Sequence, residues 1–368
     1  MNILHIPGFQ KSTFGNIEKS LVDLSTYCSD KEDSVFSLME LDSLCAKKME
    51  INNISLIPLT ESSFFNRIRL IKKIIIEKQI DIVHVHFGNL IYLGILSSLL
   101  CNIPVILHRG SFQFKGMQNR FMNLFFDKFR IILFSLCTYI IANSNDIKKE
   151  LIGRGVNAHK VRVIYRGINP SDHSLKNLFT KKDNLKLDQD VFTIGVVAAF
   201  RPEKNHLDVI RAAIILKRYI KKFKFILIGS GPLLEDLKKI ATEYKVQNNL
   251  LFLGYKQPVY PYFGTFDITV LCSKAEPYGN CVVESMLYEK AVICSKSGGA
   301  VEHVDQGKTG LLYNLNAKFS LASNILYLHN NKEKRVDMGK LSRDFVIKNR
   351  NSKDYNQQVH SLYKTALK

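Results

Sequence analysis

The feature that most constrains this fold is the change of period between Ile268 and Met286. ITVLCS, 268 to 273, is a short apolar run rich in β-branched residues, and an apolar pattern at helical spacing sets in near Asn280. A strand joined this closely to a helix is half of a βα unit, the building block of a parallel sheet covered by helices. Asn280 suits the N-cap of that helix, whose start is placed at Asn280 or Cys281. First-turn amides have no intrahelical partner and sit at the positive end of the helix dipole, so they suit a phosphate. Gly279, in the tight Tyr278-Gly279-Asn280 turn, lets backbone approach closely. Glu276 and Glu284 flank those amides, and two acceptors beside a phosphate cradle suit a hydroxyl-rich nucleotide ligand.

The same alternation runs through the chain. Apolar strands are expected at Asn2 to Ile6, 81–89 (DIVHVHFGN), 105–112 (VILHRGSF), 138–144 (TYIIANS), 161–170, at the opening of FTIGVVAAFRPEKN, in 224–232 (KFILIGSGP, ending in a Gly-x-Gly turn) and at 249–255, with helices between them. The class is α/β, with doubly wound parallel sheets whose ligands sit at strand carboxyl ends. At 368 residues the chain has room for two or three domains. Gly8 and Gly15 lack G-x-G-x-x-G spacing, so no dinucleotide fingerprint is present. The uncharged stretch 90–107 is interrupted by Asn102 and Pro104, which predicts a buried helix to about Leu100, a turn and a strand, not a membrane span.

MNILHIPGF has no basic segment leading into an apolar one, so a cytoplasmic location is expected. The seven cysteines are scattered without a CxxC pair and read as reduced thiols. A formal charge of +19 suits anionic partners: nucleotide phosphates, lipid diphosphates or an acidic membrane face. Residues 62–79 form a basic amphipathic helix and 115–136 an aromatic, cationic stretch. Both are candidates for peripheral membrane or lipid-acceptor contact, and both also read as ordinary sheet-covering helices. Nucleic acid is not expected, for want of a helix-turn-helix, an aromatic RNP motif or zinc spacing. His84 reads as a core histidine, and alternation along the strand points His86 to the opposite face.

The stretch EPYGNCVVESMLYEKAVICSKSGGAVEHVDQGKTGLLY, from Glu276 to Tyr313, resembles the signature of the family-4 retaining glycosyltransferases: Glu, seven residues, Glu, then a strand and a Gly-Gly-x-x-Glu loop. The resemblance implies a GT-B architecture, two doubly wound Rossmann-like domains facing a cleft. The expected boundaries are 1–173 for acceptor binding, 174–190 for a linker, 191–354 for the nucleotide sugar, and 355–368 for a helix crossing back to the first domain.

By the same resemblance, Glu276 contacts the transferred sugar and Glu284 the ribose hydroxyls, while Tyr278, Gly279, Asn280 and Cys281 line the diphosphate. His108, at the end of its strand, reaches the sugar, and Gly15 approaches the donor phosphates and the acceptor. Phe252 and Gly254 border the base. Lys204 neutralises the departing diphosphate. The family's companion Arg falls on Ala199, a departure from the pattern, and Arg201 is the nearby substitute.

The implied reaction moves a sugar from a UDP-, GDP- or ADP-sugar to a glycan or lipid-linked acceptor in polysaccharide or lipopolysaccharide assembly, with retention, no metal and no cofactor. Fixed positive groups stand in for a metal at the leaving diphosphate. In the family the leaving phosphate itself is thought to take the acceptor proton. The departure at Ala199 keeps open a catalytically weakened sugar-nucleotide binder, and a GT-B epimerase is a further alternative.

Overall fold

The computed structural model describes the chain apart from residues 9–15, 40, 42–43, 53, 62, 87, 89, 111–119, 171–179, 316 and 318. It divides into two units, Met1–Ile168 with Ser352–Lys368, and Asn169–Asn351.

The first unit runs β1 (Asn2–Ile6), α1 (Asn16–Ser29), β2 (Ser34–Met39), α2 (Leu44–Ile51), β3 (Ser55–Pro58), α3 (Phe64–Glu77) and β4 (Ile82–Val85). It continues α4 (Leu90–Leu100), β5 (Val105–Arg109), α5 (Arg120–Leu136), β6 (Tyr139–Ala142), α6 (Asn145–Gly153) and β7 (Val161–Val163). Its seven strands lie in the order β3-β2-β1-β4-β5-β6-β7, every pairing parallel.

The second unit runs β8 (Phe192–Val197), α7 (Leu207–Leu216), β9 (Phe223–Ile228), α8 (Leu234–Glu243), β10 (Leu250–Gly254), α9 (Tyr260–Phe263) and β11 (Ile268–Leu271). There follow α10 (Asn280–Leu287), β12 (Ala291–Ser295), β13 (Gly310–Tyr313), α11 (Ser320–Asn330) and α12 (Lys332–Asn349). Its sheet is also parallel, in the order β10-β9-β8-β11-β12-β13. The last helix, α13 (Ser352–Ala366), returns to the first unit and packs on α1.

The central strands read as unbroken apolar runs because helices cover both faces of each sheet. Ile3, Leu4, Ile82, Val83, Ile106 and Leu107 are fully buried, as are Ile194, Phe225 and Ile293 in the second unit. On α3 the Ser63 hydroxyl caps the helix by accepting from the Asn66 amide at 3.3 Å. Ile71, Ile74 and Ile75 of α3 pack inward while Phe65 and Ile76 stay exposed. The apolar stretch after it ends as α4, followed by a turn in which Asn102 is left-handed (φ +54°). Among the described residues no helix is long and apolar enough to cross a membrane.

Of the expected linker 174–190, residues up to 179 lie outside the described residues. From Thr180 onward it is part of the second unit: the Thr180 amide donates to the Pro261 carbonyl at 2.9 Å, and Leu187 is buried with Ile226, Ile228, Phe263 and Phe266. Polar composition hid two apolar anchors, Leu187 and the partly buried Leu185.

Each sheet reverses its strand order once, between β1 and β4 in the first unit and between β8 and β11 in the second. In open α/β sheets these switch points, at the strand carboxyl ends, are where ligands sit.

Candidate active site

At the second unit's switch point two distant segments meet. The chain leaving β8 makes a short 3₁₀ turn at Pro202–Lys204, and the chain leaving β11 carries Ser273 to Gly279. They are laced together: the Lys274 amide donates to the Glu203 carbonyl at 2.8 Å, and the Cys272 thiol to the Lys204 carbonyl at 3.1 Å. This brings Lys204 Nζ to 2.5 Å from Glu276 Oε2, with the two side chains 21% and 13% exposed. Ser273 Oγ also donates to Glu276 Oε2, at 3.2 Å. Sequence reasoning assigned Ser273 no role, because nothing but the fold shows that its hydroxyl reaches that carboxylate.

Helix α10 begins immediately beyond. Its N-cap is Gly279 and not Asn280, which is the first helical residue. The reason is conformational: the cap position has φ +86°, a left-handed geometry costly for a side chain, and an added Cβ would lie 2.8 Å from Ala300 Cβ. No side chain caps the helix, and the Val282 and Val283 amides turn back to the Gly279 carbonyl. The amides of Asn280 and Cys281 come before that ladder and remain the helix's anion-attracting end. Glu284 lies one turn further on and is buried. The charges of Glu276 and Glu284 add to burial in pushing the Cys281 thiol well above its usual range, so both carboxylates act on this helix start. A lysine from the turn after β8, beside two carboxylates and the first amides of α10 at the loop-helix junction after β11, can bind a diphosphate with its attached polyol.

The remaining candidates are placed unevenly. Tyr278 is buried, its ring edge-on to His303 at 4.6 Å between centroids, so its side chain points inward and only its backbone borders the loop. Arg201 is exposed, and Ala199 is half-buried. Phe252 packs edge-on against Phe200, 5.8 Å between centroids, at the margin of the core. Gly254 accepts from the Gly229 amide at 3.0 Å. Gly15 lies outside the described residues.

His108 belongs to the first unit, on β5, and is 2% exposed. It stacks at 6.0 Å on His84, within a cluster that also holds His5 and His86. His86 does not point to the opposite face from His84: β4 ends at Val85, the alternation lapses there, and the two rings lie 4.0 Å apart. His5 Nδ1 bonds His86 Nε2 at 2.9 Å, and His84 Nδ1 bonds the Tyr363 hydroxyl at 2.5 Å. Burial drives His5 and His108 down to about 3, and His84 and His86 well below their usual value, so all four are neutral. The nitrogens of His5, His84 and His86 lie within 4.8 Å of one another, the one grouping among the described residues with metal-ligand spacing. Two of the three already spend a nitrogen on each other and the third on Tyr363, so the cluster reads as a packed polar network.

Known proteins resemble the chain along most of its length. Residues 179–345 match the family model described as glycosyl transferases group 1, and residues 49–172 that described as Glycosyltransferase Family 4. An uncharacterized glycosyltransferase of Methanocaldococcus jannaschii is 30% identical over 296 residues, 78% of this chain and 76% of that protein. The Escherichia coli UDP-Gal:alpha-D-GlcNAc-diphosphoundecaprenol alpha-1,3-galactosyltransferase is 26% identical over 321 residues, 84% of this chain and 81% of its own. A crystal structure of a glycosyltransferase from Rickettsia africae superposes with a TM-score of 0.84 at 21% identity, covering 100% of this chain and 98% of that one. Anabaena HepE in complex with UDP gives 0.83 at 20% identity, covering 99% and 100%. Two parallel Rossmann-like sheets, two family models end to end and a relative at this level of identity lead to one assignment: the chain belongs to the GT-B glycosyltransferases of family 4.

Proposed function

We propose that the second unit binds a nucleotide diphosphate sugar at the carboxyl ends of β8 and β11, and that the enzyme transfers the sugar with retention to a glycan or lipid-linked acceptor in envelope polysaccharide assembly. The observation that carries this reading is the 2.5 Å Lys204–Glu276 pair beside the uncapped start of α10. A diphosphate entering there takes the ammonium of Lys204 and the Asn280 and Cys281 amides as donors. Glu276, released from Lys204, turns to the sugar hydroxyls and supports positive charge at the anomeric carbon. Glu284 accepts from the ribose. Lys204 and the amides stabilise charge on the leaving diphosphate, so neither metal nor cofactor is required. UDP is the first nucleotide to test, since the galactosyltransferase above is named for a UDP-Gal donor and HepE was crystallised with UDP.

The acceptor class rests on relatives named for undecaprenyl-diphosphate acceptors, in Escherichia coli and Campylobacter jejuni. Peripheral attachment to an anionic cytoplasmic membrane face fits the exposed side of α3, where Phe64, Phe65 and Ile76 accompany Arg69 and Lys73. Ala199 favours a second reading, a sugar-nucleotide binder with weakened turnover: the side chain that would neutralise the diphosphate beside Lys204 is absent at that position, and Arg201 is exposed.

The test is calorimetric titration of UDP, GDP and ADP sugars in EDTA, with wild type and Glu284→Ala. Binding of one donor that EDTA leaves unchanged and the substitution weakens supports the site. Binding indifferent to Glu284, or dependent on a divalent ion, overturns it, and binding without transfer to any lipid-diphosphate saccharide favours the weakened binder.

A further inference from the structure

The loop that carries Glu276 is fastened at two points to one short turn. Residues Gly299–His303 form a 3₁₀ helix. At its start the Gly299 amide donates to the Glu276 carbonyl at 2.8 Å. At its end His303 Nε2 lies 2.8 Å from the Tyr278 carbonyl oxygen. A carbonyl only accepts, so Nε2 carries the ring proton and Nδ1 is left as an acceptor. That acceptor receives the Nε–H of Arg350 at 3.0 Å. A guanidinium only donates, so a single tautomer of His303 satisfies both bonds and Arg350 selects it.

Arg350 is itself held firmly. It is 7% exposed, its Nη2 donates to the Glu302 carbonyl at 3.1 Å and its Nη1 to the Asn349 carbonyl at 2.8 Å. Burial, and then the charge of Arg350, push His303 down to about 3, so the ring stays neutral at any working pH. A continuous line of directed bonds thus runs from the end of α12 through the imidazole to the carbonyl of Tyr278. That carbonyl belongs to the peptide linking Tyr278 to Gly279, the left-handed cap of α10. Rotating this peptide would swing both the helix-start amides and the loop that holds Glu276.

We propose that His303 and Arg350 are positioning residues of the donor site: together they fix the Tyr278–Gly279 peptide plane, and with it the direction in which the first amides of α10 face a nucleotide diphosphate. The inference rests on the donor-site reading above.

The test joins two measurements. Long-range ¹⁵N–¹H spectra of the histidine-labelled protein show the Nε2–H tautomer for His303, and Arg350→Met, which removes the selecting donor, converts it to a mixture. UDP titration then ranks the variants. His303→Phe and Arg350→Met weaken UDP roughly tenfold, about the worth of one directed hydrogen bond. His303→Gln, whose amide N–H still reaches the Tyr278 carbonyl, stays within about threefold of wild type. A role in folding alone would move melting temperature and leave UDP affinity unchanged in the folded fraction.

An Nδ1–H tautomer in wild type, or folded Phe and Met variants that bind UDP like wild type while Glu284→Ala does not, overturns this proposal and leaves the donor site standing. A wild type that binds no nucleotide overturns both. Should His303→Phe fail to fold, the Gln and Met variants decide the matter in the same titration.

Discussion

At the carboxyl ends of β1 and β4 the first unit packs His5, His84, His86 and His108 against Tyr355 and Tyr363, all buried. At the corresponding ends of β8 and β11 the second unit sets Lys204 against Glu276, both partly exposed, beside an uncapped helix start. Two sheets that reverse their order in the same way therefore fill their switch points with opposite chemistry. A buried cluster of neutral rings, tied by the His5–His86 and His84–Tyr363 bonds, joins the ends of β1 and β4 to α13. A mostly buried ion pair leaves each charge dependent on a partner, and a ligand's charged or polar groups can take over that part. The topology supplies the position, and local chemistry decides whether it is filled by neutral rings or by charged side chains.

That contrast breaks most sharply if Lys204→Ala leaves sugar transfer intact. The expected outcome is a fall in transfer rate of about a hundredfold or more, from losing a preorganised cation at the leaving group. Gly298→Ala comes next. An added Cβ would lie 2.4 Å from the Glu276 carbonyl at a residue with φ +71°, so the loop must shift, at a cost of roughly 1–3 kcal/mol and with a drop in transfer of tenfold order. Wild-type rates in this variant would show that the loop's exact placement is immaterial.

Applied to the first unit, the same logic predicts a stability effect without a binding effect. His84→Leu strands the buried Tyr363 hydroxyl and should cost about 1–3 kcal/mol in denaturant titration, while UDP affinity holds. A loss of affinity would mean the two switch points are coupled.

The smallest effect is that of mild acid. The folded-state values of His5 and His108, near 3, and of His84 and His86, well below normal, lie under the unfolded value of about 6.5, so the unfolded chain takes up protons first. The stability these neutral rings contribute is present above that pH and is lost as pH falls towards 3. Between pH 7.5 and 6.5 the loss is about 0.3 kcal/mol per histidine. Hydrogen exchange resolved along the chain should show the first unit loosening before the second, where the described residues include two such histidines, His206 and His303. Equal loosening would remove the distinction.

Much of the candidate site's local structure was legible because its pieces are close in sequence: Glu276, Gly279, Asn280 and Glu284 fall within one loop and two helical turns. Lys204 was legible only through resemblance, and its 2.5 Å approach to Glu276 across 72 residues was not legible at all. The inward turn of Tyr278 was missed because an aromatic in a glycine turn carries no mark of which way it faces. The cluster around His108 was missed for a related reason: His5, His84 and His108 each stand next to last in a different strand, and Tyr363 comes from the far end of the chain.

By itself the sequence determined the alternation of strand and helix, the parallel sheets and the start of α10 just after Gly279, because these follow from period, apolar content and turn residues within a few positions of each other. The tertiary structure alone decided that one switch point would be neutral and packed and the other charged and open, that Gly279 would cap α10, and that Arg350 would select the tautomer of His303. Those outcomes depend on side chains distant along the chain meeting at hydrogen-bond range, and no local pattern records which of them will meet.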